Sequence, residues 1–177
     1  MTNQPPAWTS DRLKDIVSLR TSRDRASSEE ENYLELEDIE QGTGRILRKR
    51  NTLEVASAVT EFRAGDVLFG KLRPYLEKYA LVDFDGKCTG EILAFGPERV
   101  RGPFLKWFVS SSGFISRCNM LAYGAKMPRV NWPNQLSQFV VPLPPPAEQD
   151  RVAGFLDASC RAIDAAVGAK NGQLDGG

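Results

Sequence analysis

Residues 142–166 read PLPPPAEQDRVAGFLDASCRAIDAA, a proline run that opens directly onto a helical pattern. Proline fixes φ and lacks an N–H, so it halts strand pairing yet suits the first turn of a helix. Pro146 fits the first helical position, and Glu148 falls in the first turn, where the helix dipole favours a negative charge. Val152, Leu156, Ser159, Ile163 and Ala166 then recur at spacings of four and three residues, with Phe155 and Val167 broadening the stripe. This predicts one amphipathic helix carried by a globule. Its seam either meets a partner helix or covers the globule's own core. Gly168, Asn171 and Gly172 oppose continuation, so the helix is expected to decay near residue 168.

At 177 residues the chain is long enough for one domain with a core plus this appendage. The expected division is a globule over 1–143 and a helix with its tail over 144–177. No apolar run approaches the roughly 20 residues that cross a bilayer. The opening residues, MTNQPPAWTSDRLKD, lack the basic and apolar regions of a secretory signal. A cytoplasmic protein without a membrane partner is expected. Cys88, Cys118 and Cys160 are odd in number and widely spaced, which argues against a disulfide framework and a zinc site. There is no histidine, which removes Ser-His-Asp, Cys-His and HExxH chemistry together. No catalytic residue, metal or cofactor is expected.

The net charge is zero, but the charges are sorted. Glu29, Glu30, Glu31, Glu35, Glu37, Asp38 and Glu40 form one acidic segment. Arg45, Arg48, Lys49 and Arg50 follow it, and no acidic residue occurs between Arg99 and Ala147. A localised basic patch sets a contact field even in a neutral chain. The same residues also fit an ordinary solvated surface.

The first segment, Trp8–Leu19, predicts an opening element with Ser10 or Asp11 as a helix cap. Thr21–Glu31 reads as a polar surface loop, Tyr33–Ile39 as a short strand ending in a turn, and Arg45–Leu47 as a strand start. Strands are expected within 54–62, 67–70, 79–84, 91–95 and 139–141, and helices over 103–110 and 114–121. Asp85-Gly86 reads as a hairpin turn. Arg73 precedes Pro74 and is expected to be extended. That segment displays Lys71, Arg73, Tyr75 and Lys78. A second loop, Tyr123–Trp132, displays Lys126, Arg129 and Asn131.

Cations neutralise phosphates, an aromatic plane contacts base or sugar, and asparagine reads adenine. Together with the resemblance of the chain's ordered segments to a known family, this makes Lys71, Arg73, Tyr75, Lys78, Lys126, Arg129, Asn131, Arg48, Lys49 and Arg50 candidate DNA contacts. Each has a purely structural alternative: Arg73 and Lys78 paired with Glu77 or Asp66, Asn131 closing a turn, the 45–50 cluster solvated on a hairpin. Asp66 with Asp85-Gly86-Lys87 loosely matches a metal-dependent nuclease pattern, but Asp85-Gly86 is first a turn signal. No glycine-rich cofactor loop follows a strand, and Asn131-Trp-Pro-Asn134 does not match a methyltransferase motif.

Taken in order, YLELEDIEQGTGRIL, GDVLFGKLRPYLEKYALVDFDGKCTGEILAF, FLKWFVSS, GAKMPRVNW and VVPLPPPAEQDRVAGFLDASCRAID resemble one half of a type I restriction–modification specificity subunit. The elements and the resemblance imply an α/β fold: a mixed, largely antiparallel sheet globule with packed helices, followed by a protruding C-terminal amphipathic helix. The resemblance implies a non-catalytic target recognition domain that reads half of a split sequence in double-stranded DNA. It implies that the helix is a spacer that pairs with another helix, through Val152, Phe155, Leu156, Ser159 and Ile163. The partners implied are adenine methyltransferase subunits, the restriction subunit, and a second copy or second half-subunit. Family members usually carry two recognition domains and two spacer helices. This chain has one of each, as a half-subunit that dimerises or a piece of a longer chain. A protein-interaction module without DNA binding is the alternative.

Overall fold

Alternation of side chains across short strands builds a three-layer body. The computed structural model describes residues 8–21, 32–51 and 59–174, with side chains of the last helix described to residue 171. The central sheet runs in the order β2 (Val17–Leu19), β9 (Ile92–Pro97), β6 (Val67–Gly70), β7 (Tyr79–Leu81), all antiparallel. The β6 sequence Val-Leu-Phe-Gly is apolar on both faces because both are covered. Val67 and Phe69 point to one core with Tyr79, Phe95 and three helices; Leu68 points to the other with Ala80, Ile92 and Ala94.

The helical layer holds α1 (Leu13–Ile16), α2 (Gly102–Ser110) and α3 (Ser112–Leu121). Ser111 caps α3 by accepting from the Phe114 N–H at 3.3 Å. The Phe114 ring sits edge-on to Phe69, Phe108 and Phe139, at centroid distances of 5.1, 5.4 and 5.3 Å. The other layer is a second sheet, ordered β4 (Arg50–Asn51), β3 (Asn32–Leu34), β8 (Gly86–Thr89), β5 (Val59–Phe62). Its β3–β8 pair is parallel; its other described pairs are antiparallel. A further pair, β1 (Thr9–Arg12) with β10 (Val140–Leu143), closes the body. The mixed α/β architecture with packed helices and a C-terminal helix is as expected.

Several local expectations need correction. Ser10 and Asp11 lie in β1, and α1 starts after Arg12 with no side-chain cap; pairing with β10 outcompetes helix capping. Asp85-Gly86 does not join a hairpin, because β7 and β8 belong to different sheets. Gly86 instead lets β8 lie against β3: a Cβ there would meet the Asn32 carbonyl oxygen at 2.6 Å. Arg45–Leu47 contributes an isolated bridge, Ile39 with Ile46, rather than a strand. The last helix, α4 (Pro146–Leu174), runs past Gly168 to Leu174. Helix propensity differences of about 1 kcal/mol per glycine do not stop a helix already nucleated over several turns. The expected loop over 22–31, with Glu29, Glu30 and Glu31, and the approach at 52–58 lie outside the described residues.

Candidate nucleic-acid interface

Two candidate loops, some fifty residues apart in sequence, are sewn together by backbone hydrogen bonds. The Arg73 N–H donates to the Pro128 carbonyl at 2.7 Å, and the Val130 N–H donates to the Lys71 carbonyl at 3.1 Å. Tyr123 and Arg129 exchange backbone bonds of 3.1 and 3.0 Å, closing the loop between them. Gly124 makes the closure possible: its φ is +117°, and a Cβ would sit 3.0 Å from the Met127 carbonyl oxygen.

Arg73 is not extended, as its place before proline suggests, but left-handed at φ 50° and ψ 66°. Glu77 is left-handed too, at φ 49°. These two residues bracket a single 3₁₀ turn, Pro74–Leu76, packed against α3. The turn buries Pro74 and leaves Tyr75 half exposed. Non-glycine residues in this region cost on the order of 1–2 kcal/mol each, and such strain concentrates at functional positions.

The candidates divide by what already holds them. Arg129 is clamped by Glu91, its Nε and Nη2 donating to the carboxylate at 3.0 Å, which raises the guanidinium pKa. The Lys78 ammonium donates to the Ile39 carbonyl at 2.5 Å. Asn131 closes a turn, its Oδ1 accepting from the Asn134 N–H at 3.1 Å. Arg48 and Arg50 converge on Asp38 at 2.6 and 2.7 Å. Burial of Asp38 favours its neutral form, but hydrogen bonds from Arg50, Arg48 and the Glu35 N–H outweigh it and hold the pKa below the usual value. Lys49 lies over the Phe84 ring at 3.5 Å. By contrast, Lys71, Arg73 and Lys126 have no carboxylate partner among the described residues. Arg73 and Lys126 are exposed and adjacent, the Arg73 Nη2 donating to the Lys126 carbonyl at 3.3 Å.

A second basic region is a cleft of about 740 Å³ beside the second sheet, lined by Arg20, Lys49, Arg50, Arg63 and Lys87 among others. Arg20 is held there by both oxygens of Asp66, each at 2.9 Å. Asp66 also accepts from the Arg63 N–H, and Asp85 from the Ala64 N–H, so both carboxylates of the nuclease-like pattern support turns. Cys88 and Cys118 are buried, and desolvation pushes both thiols up to about 12, leaving them protonated.

The joined loops also carry residues that charge-based reading misses. Met120, Tyr123 and Met127 are 79 %, 76 % and 46 % exposed. They lie on the end of α3 and the loop after it, within the stretch that has no acidic residue.

The helix α4 begins as a bolted element. Gln149 is buried; its Nε2 donates to the Pro144 carbonyl and its Oε1 accepts from the Arg101 N–H, both at 2.8 Å. Two turns on, Asp157 Oδ1 accepts from Lys106 Nζ at 2.7 Å and Trp107 Nε1 at 3.0 Å. Val152 packs on the helical core, and Leu156 and Ser159 are half-buried. Phe155 points away from that seam and is 70 % exposed. From Cys160 to Asn171 every side chain is exposed, Ile163 and Val167 included.

The chain as a whole is similar to known proteins. A specificity subunit of the type I restriction enzyme EcoDI, from Escherichia coli, is 29 % identical over 116 residues, or 64 % of this chain and 26 % of that protein. The HsdS subunit from Thermoanaerobacter tengcongensis superposes with a TM-score of 0.81 at 25 % identity, over 96 % of this chain and 46 % of that one. The chain is similar to type I restriction–modification specificity subunits. A chain from a structure of complex assembly and conformational transition in a type I restriction–modification system shares the fold, with a TM-score of 0.79 at 24 % identity over 99 % of this chain and 48 % of that one. No family model matches. The chain spans about a quarter of the curated specificity subunit and just under half of these two solved chains.

Proposed function

We propose that this chain is a non-catalytic DNA-recognition element of a type I restriction–modification system. The globule over 1–143 binds one part of a duplex target, and the segment over 144–177 docks other subunits. The observation that carries the reading is the joining of loops 71–78 and 123–131 into one surface. That surface displays Arg73 and Lys126 without carboxylate partners among the described residues. Such a surface cation gains most from a phosphate, because it releases counterions without first breaking an ion pair.

The candidate residues then take different parts. Lys71, Arg73 and Lys126 face phosphates, and Tyr75 is presented by the strained turn between Arg73 and Glu77. Arg129, Asn131 and Lys78 hold the loops in shape through Glu91, Asn134 and Ile39. Arg48 and Arg50 brace Asp38 and pair outward with Glu37, Arg50 also with Glu35, which leaves Lys49 to add positive field. On α4, Val152 and Leu156 fix the helix to the body, while Phe155, Ile163 and Val167 remain for a partner.

The test is co-purification with an adenine methyltransferase subunit, followed by mapping of methylated sites. The reading predicts a complex that methylates one defined motif; a split or palindromic motif would indicate that two recognition elements act together. A complex without any motif would favour a protein-interaction module, and no complex would remove the assignment of α4.

A further inference from the structure

Beyond its cations, the joined-loop surface carries an apolar and aromatic patch that phosphate binding does not use. Tyr123 and Met120 expose about three quarters of their area, and Met127 nearly half. Large apolar side chains at this exposure, close together along one short segment, point to a contact surface. The backbone beneath two of them is held in place. Tyr123 is fixed at the end of α3 by its backbone pair with Arg129, and Met127 by the tight return over Gly124.

The chemistry around the patch selects its occupant. Arg73 and Lys126 lie on the same surface, Tyr75 is displayed by the adjoining turn, and the sequence from Arg99 to Ala147 holds no carboxylate. Cations on the same joined loops as exposed aromatic and thioether side chains complement a polyanion whose interior is apolar. Duplex DNA is such a ligand: phosphates meet the cations, and base edges, thymine methyl groups or an opened base step meet the aromatic and thioether groups. Tyrosine offers a π-face to a base and a hydroxyl to its edge, while methionine fits irregular apolar relief.

We infer that Tyr123, flanked by Met120 and Met127, contacts bases and sets part of the sequence preference, while Arg73 and Lys126 supply sequence-independent affinity. The inference rests on the DNA-recognition reading above. It assigns separate physical signatures to neighbouring residues. Removing a base-reading side chain lowers discrimination between sequences and leaves the salt dependence unchanged. Removing a phosphate-neutralising one lowers binding to all sequences and reduces the salt slope.

The experiment is selection of bound sequences from a pool of randomised double-stranded DNA, using the purified chain, its Tyr123→Ala and Tyr123→Phe variants, and Lys126→Ala. The wild type is expected to enrich a motif. Tyr123→Ala should lower the preference for that motif over unselected duplex by roughly tenfold, with an unchanged slope of log affinity against log salt. Tyr123→Phe should retain most of the preference. Lys126→Ala should keep the motif with a shallower slope. Because Tyr123 is largely exposed, circular dichroism should show both of its variants folded as the wild type is. Tyr123→Ala selecting the same motif with the same strength would overturn the inference and leave the recognition reading intact. A wild type that enriches no sequence would overturn both. Loss of methyltransferase co-purification in Tyr123→Ala, with DNA selection unaltered, would reassign the patch to a protein partner.

Discussion

Asp38 shows how a single buried carboxylate organises its surroundings. It is fully buried, accepts from the Glu35 N–H at 2.8 Å, and receives Arg48 and Arg50 from ten and twelve residues on. Removing it takes the closest carboxylate from two guanidinium groups, which keep only the more exposed Glu37 and, for Arg50, Glu35. Asp38→Ala should cost on the order of 3 kcal/mol, read as a shift in the denaturant midpoint. Its lowered folded-state pKa sets the sign of a pH effect. The stabilisation is present above the unfolded value of about 4 and is lost as pH falls through the folded value. Thermal unfolding of wild type and Asp38→Asn between about pH 6 and pH 2 should therefore converge at the acid end. Parallel curves would rule the residue out as the source. Arg73 makes the opposite trade. Its left-handed backbone suits glycine, so Arg73→Gly should hold or raise stability by up to about 1 kcal/mol while weakening DNA binding. Chemical denaturation and a binding isotherm on the same preparation separate the two effects.

At the scale of elements, α4 is two structures in one helix. Its 29 residues span about 43 Å. The first four turns are fastened to α2 through Gln149, Val152 and Asp157; the rest stands clear of the body. The periodicity that predicts one partner-facing seam merges these roles, because helical spacing shows which residues share a face but not where the body ends beneath it. Substitutions along the helix should therefore behave differently. Val152→Asp places a charge against the core and should destabilise the isolated chain by about 2–4 kcal/mol. Ile163→Asp should change stability by no more than about 0.5 kcal/mol yet weaken partner assembly. Equal destabilisation by both would contradict the division. Gln149→Ala unpairs the Pro144 carbonyl and the Arg101 N–H. It should cost about 1–3 kcal/mol, with amide exchange rising first at the start of α2 and α4.

For the whole molecule, what the sequence discloses follows the range of the interactions involved. The strand Val67–Gly70, the helix from Gly102, and Pro146 at the head of α4 are encoded by neighbours within one or two turns, and they lie where the pattern places them. Assignment of strands to sheets is not local: Asp85-Gly86 has the chemistry of a hairpin, yet β8 leaves to pair with β3 and β5. The candidate site divides the same way. Its cations are evident from the charge pattern, but only long-range pairing reveals that Arg129 belongs to Glu91 while Arg73 meets the loop of Lys126. Tyr123 and Met120 carry no charge to draw the eye, and exposure is a property of the fold.

In the proposed function the joined loops present cations to DNA phosphates. Its most direct test is the affinity of the chain for duplex DNA across a series of salt concentrations, for wild type and the Arg73→Ala/Lys126→Ala double variant. Wild-type affinity is expected to fall steeply with salt. The slope is expected to be shallower by about two in the variant, one for each phosphate no longer neutralised. An affinity that ignores salt, or a slope that the double substitution leaves unchanged, would contradict it.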